Sequence, residues 1–266
     1  MADLVRPVGE PVAAFYHRDG DAFVPTELTR GPWDPAAQHA GPPSALLGRA
    51  VEASDRLIGR ISIEILRPIP LAPLTVTREL VRPGRAVELA EARLREAGGE
   101  RREIARATAW RLRRQDGAPT LGLDPPPPGP EHGRAVPFFP TGQDVGYHRA
   151  MDYAFVEGGF VDPGPAVVWM RMRQPLVEGE EPSPLVRVLT AADSGNGVSA
   201  ALDYRRFVFI NTDLTVQLVR EPEGEWVCLD AVTRVGPDGV GLADSALSDA
   251  QGLIGRATQT LLVRPR

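Results

Sequence analysis

An internal repeat restricts the fold of this chain more than any other feature. Ile104-Ala105-Arg106-Ala107-Thr108 recurs 150 residues later as Ile254-Gly255-Arg256-Ala257-Thr258. Leu89-Ala90-Glu91-Ala92-Arg93-Leu94 resembles Leu242-Ala243-Asp244-Ser245-Ala246-Leu247, 153 residues on. The difference of three falls in the turn between the two matches, where a hairpin loop absorbs a change of length easily. Between the copies lies a segment, 116–142, that contains Pro125 to Pro128 followed by Gly129-Pro130. Such a composition continues neither a helix nor a central strand. The expected organisation is therefore 1–115, a Pro/Gly-rich linker at 116–142, and 143–266.

Each half has the same coarse order. Short strand runs near 12–17 and 22–28 precede a helix over Pro42 to Ser54, whose apolar positions Leu46, Leu47, Ala50 and Val51 have helical spacing. Strand patterns follow near 60–67, 73–82, 85–96 and 101–114. In the second half, strands near 148–156 and 166–176 lead to a helix over about Ser183 to Asp193. Further strands follow near 212–220, 225–235, 239–247 and 253–264. One helix and a run of hairpin-linked strands per half predicts an antiparallel sheet wrapped on a central helix, an α+β unit, present twice as a fused pseudo-dimer.

Composition narrows the chemistry. All 30 basic residues are Arg, so Schiff-base lysines and the P-loop lysine are excluded. A net charge of −5 without a basic arm does not suggest nucleic acid. The single cysteine, Cys228, lies in an apolar strand and reads as a core thiol. No 18-residue apolar run occurs, and Met1-Ala2-Asp3-Leu4 does not open a basic-then-apolar leader, so a cytoplasmic location away from membranes is expected. The four His residues lack metal-ligand spacing, and no Gly-x-Ser-x-Gly elbow is present.

Two polar residues sit where apolar ones are expected. Leu185, Leu189 and Asp193 follow i, i+4, i+8, which places Asp193 on the apolar stripe of the second helix. A buried carboxylate is costly unless it is partnered, so it serves a structural or a catalytic role. The competing reading is a plain cap of the helix end. In the last strand Gly255, Ala257, Gln259, Leu261 and Val263 share one face, so Gln259 projects from a small, apolar row toward the helix. Its repeat mate is Ala109, and that of Asp193, by a looser alignment, is Ser54. One polar-equipped site and one stripped site are expected. Thr212 shares parity with Leu214, Val216 and Leu218, which makes it the inward residue if the strand is regular there.

Gln38-His39-Ala40-Gly41-Pro42-Pro43 at the first helix, Leu66-Arg67-Pro68, Ala192-Asp193-Ser194 and Ala257-Thr258-Gln259, in that order, resemble the type II acyl-CoA thioesterase family. The resemblance implies a double hotdog that hydrolyses an acyl-CoA or other acyl thioester. It also implies a water held by Asp193, Gln259 and a third residue, which alignment makes Asn211 and strand parity makes Thr212. The Asp-His pair that better-known members carry after this position is absent, since Asp213 is followed by Leu214. At the helix start, the N–H of Gly41 is the expected oxyanion donor, with His39 lining the site. No metal or redox cofactor is implied, and homo-oligomerisation is compatible with the exposed sheet. Two other readings stay open: a non-hydrolytic acyl-CoA or lipid-binding hotdog protein, and a hotdog enoyl-CoA hydratase using Asp34 and His39.

Overall fold

The computed structural model describes residues 14–138, 140 and 142–266. The first half contains β1 (Tyr16–Asp19), β2 (Ala22–Pro25), α1 (Gly41–Val51), β3 (Arg56–Ile65), β4 (Leu74–Arg82), β5 (Val87–Glu96) and β6 (Glu103–Arg113). The second contains α2 (Tyr147–Ala150), β7 (Met151–Gly159), β8 (Asp162–Met172), α3 (Pro184–Ala192) and α4 (Gly195–Val198). It continues with β9 (Phe207–Asn211), β10 (Asp213–Leu218), β11 (Trp226–Val235), β12 (Val240–Asp249) and β13 (Gly252–Pro265). The expected strand near 12–17 begins at Tyr16, and its first two positions lie outside the described residues.

The strands form one antiparallel sheet in the order β1-β2-β4-β5-β6-β3-β10-β13-β12-β11-β8-β7, with β9 also on β13. Read from the two ends toward the middle, the order is the same in both halves. The repeat is thus a pseudo-twofold, and its axis passes between β3 and β10, where Thr215 stands opposite Ser62 and its hydroxyl donates to Ser62 Oγ (3.1 Å). This is the α+β double hotdog, with the halves joined edge to edge.

Both helices lie inside the curved sheet and pack on each other. Prolines at the first turn of α1 and at its start in α3 suit positions whose N–H groups have no intrahelical partner. Ser183 caps α3 by accepting from the N–H of Val186 (3.2 Å). Alternating burial along β5 and β13 turns one face of each strand to the helices. The crossing is close at Gly48, where a Cβ would stand 2.2 Å from Leu189 Cδ1.

One sequence expectation is corrected here. Helix α1 stops at Val51, because Glu52 is extended (φ −62°, ψ 151°) and a turn follows, so Ser54 is exposed and non-helical. The residue that matches Asp193, which follows the last turn of α3, is therefore Glu52. Segment 116–142 makes contacts with the second repeat. The N–H of Leu253 donates to Asp124 O (3.0 Å), Trp169 Nε1 donates to Pro128 O (2.7 Å), and Arg134 pairs with Phe155.

Candidate active site

Asp193 follows α3 and is 3% exposed. Three side chains converge on its carboxylate. Asn211 Nδ2 donates to Oδ1 (2.8 Å), Gln259 Nε2 donates to Oδ1 (3.2 Å) and to the Asp193 carbonyl (3.0 Å), and His39 Nδ1 stands 3.0 Å from Oδ2. Gln259 Oε1 accepts from the Asn196 N–H (3.0 Å), so both ends of that buried amide are satisfied. The four side chains come from α3, β13, the end of β9 and the loop before α1. The site thus straddles the two repeats.

Of Asn211 and Thr212, it is Asn211 whose side chain reaches Asp193. Asn211 faces Leu261 and Thr215 faces Thr258 across β13, so four residue steps on one strand span three on the other. This is a bulge at Thr212, and the extra residue reverses the inward parity. Thr212 is exposed, with its hydroxyl near Thr260 O (3.4 Å). The parity expectation failed because it assumed a regular strand across this point. The same irregularity occurs at the repeat-equivalent place in β3, between Ile58 and Arg60.

His39 lies against Tyr147 with ring centroids 3.7 Å apart and planes 6° from parallel. The Tyr147 hydroxyl donates to Thr190 O (2.6 Å) and lies 3.0 Å from Ser194 Oγ, which fixes the ring on which His39 rests. Burial holds the His39 imidazole below its ordinary range, against an opposing pull from Asp193. His39, Tyr147, Ser194 and Asn196 line a cleft of about 40 Å³, whose other wall is aromatic and includes Phe138 and Phe160. Gly41 is not among its lining residues. Its N–H points at His39 Nδ1 (3.1 Å), and a Cβ there would stand 2.5 Å from Thr190 O. The glycine is required by the close approach of the two helices, and its N–H is not aimed into the cleft as the sequence reading expected.

Tyr147 and Asn196 were missed from sequence. Neither stands in a motif, and Tyr147 is more than 100 residues from His39 along the chain. Asp34, the alternative partner for His39, is exposed and accepts from the Ala36 N–H (2.8 Å) in its own turn. The matching place in the first half pairs Glu52 with the Ser183 hydroxyl (2.9 Å), with Ile58 and Ala109 where the second has Asn211 and Gln259. It is not the wholly apolar place expected from Ser54 and Ala109. Cys228 is buried, and desolvation pushes its thiol up to about 12. Among the described residues no group of three His, Cys, Asp or Glu could hold a metal ion, and no helix is long and apolar enough to cross a membrane.

Solved structures share this architecture. A candidate thioesterase II from Thermobifida fusca YX is 20% identical, with a TM-score of 0.73 over 94% of each chain. A candidate thioesterase from Novosphingobium aromaticivorans is 22% identical, with a TM-score of 0.73 over 93% of this chain and 98% of its own. An acyl-CoA thioesterase II from Mycobacterium marinum is 15% identical, with a TM-score of 0.64 over 93% of this chain and 94% of its own. A comparison with curated protein sequences finds no match. Fold and neighbours together define a double hotdog. The family models are more particular: residues 29–112 match the acyl-CoA thioesterase N-terminal domain, and residues 130–263, half of the chain, match the C-terminal domain. The chain belongs to the acyl-CoA thioesterase family and is a thioester hydrolase.

Proposed function

We propose that the protein hydrolyses acyl-CoA with a water positioned at the Asp193 centre, with Gln259 and Asn211 holding the carboxylate and the cleft beside His39 receiving the thioester. The observation that carries this reading is the convergence of Asn211, Gln259 and His39 on one buried carboxylate. A cap needs no such set of donors. Burial of an ionised group with this many partners at the wall of a cleft is the arrangement expected where a charge serves chemistry. The first-half counterpart, with Ile58 and Ala109 in place of the two amides, has no equivalent donors. The reading therefore assigns one site to each chain.

Thiol release from a panel of acyl-CoAs of increasing length tests the activity. Asp193→Asn keeps the size of the side chain but cannot hold a negative charge. It should lower kcat at least about 10²-fold and leave acyl-CoA affinity nearly unchanged. Asp34→Asn should leave hydrolysis intact. Wild type that binds acyl-CoA and releases no thiol would favour the non-hydrolytic reading. Loss of hydrolysis in Asp34→Asn but not in Asp193→Asn would overturn the assignment.

A further inference from the structure

The three donors on Asp193 leave an open question of proton placement. Oδ1 accepts from two amides. Oδ2 is 3.0 Å from His39 Nδ1, and the same Nδ1 is 3.1 Å from the Gly41 N–H. These two contacts demand opposite states of Nδ1: a carboxylate requires Nδ1–H, whereas a backbone N–H requires a bare lone pair. With Asp193 ionised, a bare Nδ1 would set two acceptors against each other in a buried place. The Gly41 N–H belongs to the first turn of α1, where an unpartnered donor is ordinary. Nδ1 therefore carries the proton, and Nε2 carries a lone pair.

Asp193 then holds three donors, while Nε2 has no hydrogen-bond partner among the described residues, and its ring lines the cleft. We propose that His39 is the catalytic base of the hydrolysis, and that Asp193 is a positioning residue that fixes the imidazole tautomer and stabilises its protonated form. The inference rests on the reading above and specifies which atom in it moves the proton. Nε2 takes a proton from water as the water oxygen bonds to the thioester carbonyl carbon, whose oxygen becomes negative. Collapse of this intermediate breaks the C–S bond, and Nε2–H returns the proton to the departing sulfur. Water and acyl-CoA thus become free acid and CoA thiol. Tyr147, stacked on the imidazole, holds its plane.

The groups facing the ring are Asp193 and Tyr147, the latter kept neutral by burial, and His148 lines the same cleft. A base must be unprotonated, so kcat/KM should fall as pH drops through the His39 pKa, which burial holds below 6.5. His39→Gln should lower kcat at least about 10²-fold with little change in KM and should abolish this acid limb, whereas His148→Gln should keep it. In His39→Ala, free imidazole should restore part of the lost rate. His39→Gln with kcat within a few-fold of wild type would overturn the proposal, as would an acid limb that disappears with His148 instead. Should the His39 variants fail to fold by thermal melting, a wild-type profile with no acid limb at any pH below 6.5 at which the protein stays folded would overturn it alone. Wild type without thiol release on any acyl-CoA defeats the underlying reading and this step with it.

Discussion

At the scale of single residues, the site turns on one buried negative charge and the donors it gathers. Asn211 contributes the shortest of the amide bonds to Asp193. A hydrogen bond to a charged group is worth about 1.5–3 kcal/mol, or roughly 10–100-fold where it acts in the transition state. Asn211→Leu should lower kcat/KM for thiol release by that factor. Asn211→Thr, which keeps a donor at the position, should lose less. Equal activity in Asn211→Leu and wild type would remove Asn211 from the site. The identities of Asp193 and Gln259 could be picked out in sequence because polar residues stand out on apolar stripes. Tyr147 could not, since a tyrosine in a short polar helix carries no mark of the histidine it will meet.

At the scale of elements, a second buried carboxylate shows charge used for structure. Asp249 at the end of β12 is fully buried. It takes both ends of the Arg220 guanidinium, together with the N–H groups of Glu223 and Gln251 (2.8 Å each), and so ties the loop after β10 to the β12–β13 hairpin. Burial alone would raise its pKa, but Arg220 and the two N–H groups outweigh it and hold the carboxyl below its ordinary range. A depressed folded-state pKa contributes stability that is present above the unfolded value near 3.9 and is lost as pH falls through the folded one. Breaking such a pair costs about 3 kcal/mol or more, because an uncompensated charge stays buried. Arg220→Ala should therefore lower Tm at pH 7 by roughly 6–12 °C. The gap to wild type should narrow as pH falls through the acid range and the buried Asp249 of the variant, without Arg220, takes up a proton. A gap independent of pH in thermal melts would show that the pair does not set the stability of this corner.

On the scale of the whole molecule, the halves share one sheet through β3 and β10 and one core through α1 and α3. Residues 116–123 are exposed, whereas Asp124, Pro128 and Arg134 are bonded to the second repeat. We propose that the second unit takes the later part of the linker with it, as the family match from residue 130 suggests. A backbone cut within 116–123 should then leave two pieces that stay associated through the shared sheet, co-elute on size exclusion and keep releasing thiol. Pieces that separate or lose activity would mean that the continuous chain, not the pairing of β3 with β10, holds the site together.

The amino-acid sequence by itself determined the repeat, the number and order of most strands, both long helices and the two polar intruders, Asp193 and Gln259. These properties are local or periodic, so a strand or helix declares them through spacing alone. Only the tertiary structure decided that a bulge at Thr212 turns Asn211 inward and that Glu52 matches Asp193. It also decided that His39 meets a carboxylate 154 residues away. The physical reason is that one extra residue in a ladder, or the last turn of a helix, is settled by hydrogen bonds to partners distant in the chain. Those partners, brought together by the pseudo-twofold, choose which side chain faces the site.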